Sequence, residues 1–341
     1  MRLDPYRAKL YRILFASAAF YNICFGLWAS FRPLSFFERL EMAPPNYPAI
    51  WACLGMVVGV YGLAYGYAAW RLDRAGPFIA IGLVGKLLGP IGWAATVHSG
   101  EWPLRTFTLV LFNDLIWWIP FSLFLLEGTR TGARIRASAP YACALLNFVA
   151  CLALLFGLRP GTELVSHVGH RVAFIAGHPV LWRAGWAIWI AGGISLVGFY
   201  AWWGARVPSQ RLGIAGVLVA LIGLLVDVFA DSLLIGWLPT HYDEIAPAVT
   251  FLSGAVGNGL YTIGGAILTL GSTSLWRGSR GPLAARAASG GMQIWAWATW
   301  SAGFLLTLAS LWGSPAQIAL AAGSLFVLFC PFAAAIGWSL R

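Results

Sequence analysis

The chain has 341 residues, 60% of them hydrophobic and only 10% charged, where a soluble domain carries about a quarter; its mean hydropathy is +0.76. That balance excludes a soluble globule, intrinsic disorder and a coiled coil, and it points to a multi-pass membrane protein. The formal charge of +10 comes from 22 Lys and Arg against 12 Asp and Glu. These charges sit in short loops between apolar runs, so they read as topology signals and exclude nucleic acid as a partner.

The N-terminus carries Arg2, Arg7, Lys9 and Arg12 ahead of an apolar run. The Ala16-Ser17-Ala18 triplet mimics a signal-peptidase site, but the apolar stretch before it is too short for a signal-peptide core, so the segment reads as a retained first span. Apolar runs of about 20 residues cross the hydrocarbon core as helices. They predict spans at 10–31, 49–70, 78–97, 106–126, 140–158, 181–203, 212–237, 247–270, 292–312 and 317–340. The expected fold class is therefore all-α, a polytopic bundle of ten transmembrane helices. Placing the N-terminus in the cytoplasm puts 15 basic residues on inner segments and six on outer ones, with Lys86 inside a span. Both termini then lie in the cytoplasm. Among the 19 tryptophans, Trp28, Trp102, Trp182, Trp237 and Trp312 fall at outer helix ends, and Trp70, Trp202, Trp203 and Trp338 at inner ones, as expected of headgroup-level anchors. The five cysteines lie in apolar runs without a CxxC pair and read as small buried apolar residues.

The polar, basic linker at 127–139 divides the chain into a four-helix module, residues 1–128, and a six-helix module, residues 129–341, with an amphipathic outer helix near 162–177. In the first module an outer loop ends in Ala43-Pro44-Pro45-Asn46-Tyr47-Pro48. The next three spans carry Gly59-Val60-Tyr61-Gly62-Leu63, Gly85-Lys86-Leu87-Leu88-Gly89-Pro90 and Phe112-Asn113-Asp114-Leu115-Ile116-Trp117-Trp118. Over residues 10–128 this layout is similar to that of the DoxX-like proteins, a family of small four-helix bacterial membrane proteins, some of which are tied to thiol or quinone redox chemistry. The resemblance implies a bacterial inner-membrane location. It carries over no catalytic residue. The last six helices resemble no family of known function.

Ionisable groups inside a span cost roughly 2.5–3.5 kcal/mol to insert and need a partner or a water-filled cavity. Lys86 and Asp114 lie on adjacent antiparallel spans, offset by about 6 Å of helical rise, and are expected to form a structural ion pair. Asp227 and Asp231, at i and i+4, share one helical face, which Gly216, Ala220 and Gly223 continue. Such a carboxylate pair suits proton coupling, cation binding or general acid/base work. On the next span Gly254, Asn258, Tyr261 and Gly265 share a face, so Asn258 and Tyr261 join the carboxylates as candidate ligand or proton contacts. In the outer loop, Thr162 and Gly177 bracket a helix with Leu164, Val168, Val172 and Ile175 on its apolar face. His167 and His170 at i, i+3, with His178, His241 or Asp231, form a weak candidate metal site. No other cofactor is implied. Gly85-Lys86 lacks the rest of a phosphate loop, the glycines at 254, 257 and 259 follow no strand, and Ser253 lacks the flanks of a nucleophile elbow.

Three functions stay open. The first is a transport or small-ligand-binding protein, with Asp227 and Asp231 receiving a proton or a small hydrophobic or cationic ligand near the outer face. The second is a membrane enzyme, with or without metal, acting on a lipid or quinone. The third is a structural or assembly subunit. The bilayer is a partner in all three.

Overall fold

The computed structural model describes residues 3–165, 167–236, 242–277 and 283–340. Among them the chain is almost wholly helical, without strands. Ten helices are long and apolar enough to cross a membrane: α1 Pro5–Phe31, α2 Pro48–Trp70, α3 Gly76–His98, α4 Leu104–Leu125, α5 Arg130–Gly161, α6 Pro179–Gly204, α7 Gln210–Gly236, α8 Ile245–Thr273, α9 Gly290–Trp312 and α10 Pro315–Ser339. The shortest, at 22 residues, spans roughly 33 Å at helical rise, enough for the hydrocarbon core. The protein is a polytopic integral membrane helix bundle.

Helix starts are written locally. Asp4 caps α1, its carboxylate accepting from the Arg7 amide at 3.0 Å. Ser314 and Gln317 form a reciprocal capping box at α10. Proline occupies the first turns of α1, α2, α3, α6 and α10, where a missing amide hydrogen costs nothing. The linker differs from the expected loop. Gly128 adopts φ +81° and ends the preceding helix, the Thr129 hydroxyl accepts from the Gly132 amide at 3.0 Å, and helix resumes at Arg130. The basic turns that read as linker therefore extend α5 beyond its apolar part.

The chain divides into two compact units, Met1–Ala133 and Arg134–Arg341. In the first, α1 and α2 meet through glycines. A Cβ on Gly26 would lie 2.7 Å from the Gly59 backbone, and one on Gly62 would lie 2.9 Å from the Ala19 carbonyl oxygen, the close approach that small-residue faces permit. Phe15, Tyr65, Trp117, Phe121 and Phe124 fill the core beside them. Arg7 pairs with Glu127, which also accepts from the Tyr11 hydroxyl at 3.0 Å.

In the second unit α7 packs against α8 at closest range. A Cβ on Gly264 would lie 2.7 Å from the Gly216 carbonyl, and one on Gly223 would lie 2.9 Å from the Gly257 carbonyl. The small-residue face expected on α7 is thus its contact with α8. Large apolar side chains such as Leu63, Ile91, Leu320 and Val327 stand exposed along the helices, as lipid-facing positions do.

Two expectations fail on packing. Trp182, Trp202 and Trp203 are buried within the second unit and do not line a membrane surface; Trp203 donates to the Ser272 hydroxyl at 3.0 Å and Trp182 to the Leu234 carbonyl at 2.9 Å. Trp70, Trp312 and Trp338 remain exposed at helix ends. Of the cysteines, Cys143 and Cys330 are buried, but Cys24 and Cys53 are exposed on helix surfaces.

Candidate functional site

The second unit contains a partly open cavity of about 300 Å³, at the lower end of ligand-sized sites. Two aromatic clusters form its walls. In one, Trp182, Trp186, Trp189 and Phe326 follow edge to face, with successive ring centroids 5.5, 6.1 and 5.5 Å apart. In the second, Trp300 lies 6.2 Å from Tyr200 and 6.4 Å from Phe329. Hydrogen bonds fix this second wall: Tyr200 donates to the Tyr261 carbonyl at 3.0 Å and Trp300 to the Thr269 hydroxyl at 2.7 Å.

Asp227 on α7 supplies the cavity's buried charge and is only 5% exposed. Its carboxylate accepts from two neutral hydroxyls, Ser253 Oγ and, at 3.2 Å, Tyr261 Oη. Gly193 on α6 makes room for this cluster; a Cβ there would lie 3.0 Å from Tyr261 Oη and 3.5 Å from Asp227 Oδ2. Asp231, one turn further along α7, is 0% exposed, and neither carboxylate oxygen has a hydrogen-bond partner among the described residues. It does not line the cavity. An unpaired charge there costs several kcal/mol after relaxation, which a proton or a cation would remove.

Ser253 reaches Asp227 because α8 carries a π-helical stretch at Thr250–Gly257. The wider turn shifts the register of everything before it, and such turns often occur at functional sites. The residues expected on one α8 face divide between two neighbouring helices, within the regular α-helix that follows this stretch. Tyr261 turns to Asp227 on α7, whereas the Asn258 amide donates to the Gly303 carbonyl at 2.8 Å and to the Thr307 hydroxyl at 3.0 Å on α9. Both line the cavity. Ser253 was legible only as a serine without a motif, since nothing in a sequence spacing marks a π turn.

In the first unit Lys86 and Asp114 are both buried and each lies within the electrostatic reach of the other, but they do not make the direct contact expected of the ion pair. Asp114 sits in another π-helical stretch, Leu111–Leu115. There Lys86 donates to the Asn113 carbonyl and lies 5.8 Å from the Tyr65 and Trp117 ring centres, while the Asn113 amide donates to Asp114 at 2.9 Å. A free carbonyl and two aromatic faces have taken the place of the direct carboxylate contact.

The helix expected in the loop between α5 and α6 is shorter, Val168–Gly177, with His167 as the residue before its first turn. Thr162 does not cap it; its hydroxyl donates to the Arg159 carbonyl at 2.8 Å. Arg171 instead reaches back to the Val165 carbonyl and lies 5.5 Å from the Tyr242 ring centre, holding the loop beside the cavity. The His167 and His170 rings are neighbours at 5.4 Å, and both are exposed. His178 stacks on Phe174 at 4.6 Å, its Nδ1 3.0 Å from that residue's carbonyl oxygen. His241 lies outside the described residues. Among those described, no three His, Cys, Asp or Glu gather as metal ligands.

No protein-family model, curated protein or solved structure matches the chain. The functional reading therefore stands on the cavity and its carboxylates.

Proposed function

We propose that this membrane protein binds a small ligand in the cavity of its second unit and transports it, with Asp227 and Asp231 exchanging a proton or a cation as the ligand binds. The observation that carries the reading is the placement of Asp227. It is a buried carboxylate on a cavity wall, held by two hydroxyls and, among the described residues, without a cationic partner, with a carboxylate one turn behind it that is unpartnered among the same residues. Intramembrane carboxylates of this kind mark ion and proton pathways. No histidine is among the described lining residues, which favours transport over metal-assisted chemistry on a lipid or quinone. The basic-residue bias supports both termini on the cytoplasmic side, and the DoxX-like layout of the first four helices supports a bacterial inner membrane.

The test is flux into proteoliposomes of three aromatic probes, one neutral, one cationic and one anionic, with and without an imposed pH gradient. The gradient should drive accumulation of at least one probe, and Asp227→Asn should abolish that accumulation while the protein remains folded. Flux of all three equal to that in protein-free liposomes contradicts the proposal.

A further inference from the structure

We propose that the ligand is a lipophilic organic cation, an amphiphilic ammonium held with its charge at Asp227 and its apolar body against the aromatic lining of the cavity. This rests on the reading above only in taking the cavity as a ligand site.

Charge complementarity comes first. The described lining residues include two carboxylates, Asp227 and Glu163, and no Lys, Arg or His. An anionic ligand would meet like charge in a low-dielectric site, with no counter-charge on the walls. Nor does a cationic side chain among the described residues neutralise Asp227. Its partners are hydroxyls, and the ion pairs found among the described residues all lie elsewhere, at Arg7, Arg71 and Arg74. Two hydroxyl donors orient a carboxylate but leave it capacity to accept from a third donor, and an ammonium N–H supplies one with the opposite charge.

The walls give the second argument. Indole and phenol faces are the best side-chain partners for a desolvated organic cation, and four tryptophans, Trp182, Trp186, Trp189 and Trp300, line the cavity. A hydrated inorganic ion gains little from such a lining. A neutral apolar ligand uses the walls but leaves the buried carboxylate uncompensated, which costs affinity. Only a ligand with a cationic head and an apolar body satisfies both parts. Gly193 permits that head a close approach, because any larger residue would crowd Asp227 and Tyr261.

The experiment is calorimetric titration of the full-length protein in nanodiscs, with empty nanodiscs subtracted, using phenylbutylammonium, phenylbutanol and phenylbutyrate. The inference predicts that the ammonium binds at least about tenfold more tightly than the alcohol, the step expected of one desolvated cation contact, and that the carboxylate binds weakest. In Asp227→Asn the ammonium should lose that advantage while the alcohol binds as before. The wild-type series stands without the variant if Asp227→Asn fails to fold. Equal binding of ammonium and alcohol to wild type, both weakened by Ala322→Phe in the cavity wall, overturns the cation inference and leaves the cavity as a ligand site. If none of the three binds wild type more tightly than Ala322→Phe, the site reading falls as well.

Discussion

Two carboxylates one helical turn apart have different surroundings. Asp227 is hydrogen-bonded by Ser253 and Tyr261, whereas Asp231 is fully buried with both oxygens unpartnered among the described residues. A buried polar group without a partner costs stability, of order 1–3 kcal/mol, and such a residue persists where function requires it. Asp231→Leu should therefore stabilise the protein by about 1–2 kcal/mol, seen as a raised thermal midpoint, while gradient-driven flux falls to the background level. A lowered midpoint would mean that Asp231 has a structural partner and would remove it from the proposed proton or cation pathway.

Helices place these groups through small departures from α geometry. The π-helical stretch of α8 brings Ser253 onto the Asp227 side while Tyr261, beyond the stretch, also reaches it. Ser253→Ala removes the contact that this stretch presents and should lower gradient-driven flux while circular dichroism and the Tyr261 contact are retained. Flux equal to that of the wild type would show that the Ser253 contact does not position the site. The same geometry explains what could and could not be read in the sequence. The i, i+4 spacing of Asp227 and Asp231 and the glycines of α7 follow directly from regular helix periodicity, and both recur in the structure. Ser253, and the replacement of a Lys86–Asp114 ion pair by the Asn113 carbonyl, depend on π turns, which leave no mark in residue spacing.

On the scale of the whole molecule, an apolar run must be long enough to cross the bilayer, so the ten spans could be placed from composition alone. Helix ends were less legible, because polar turns continue α5 back to Arg130 without adding apolar residues. The aromatic walls were the least legible part. A tryptophan near a helix end looks the same in sequence whether it meets lipid headgroups, as exposed Trp312 is placed to do, or packs inward, as Trp182 does. Only the packing of α6 against α7 decides it, and that packing takes Trp182 out of the expected membrane belt and into the lining of a cavity. The account's central claim is that this cavity is a binding site organised by Asp227. Electron cryomicroscopy of the protein in nanodiscs with phenylbutylammonium tests it most directly. The account predicts density in the cavity lined by Trp186 and Trp300, in contact with the Asp227 carboxylate. A cavity closed by side chains, or filled by an acyl chain that leaves Asp227 untouched, would contradict it.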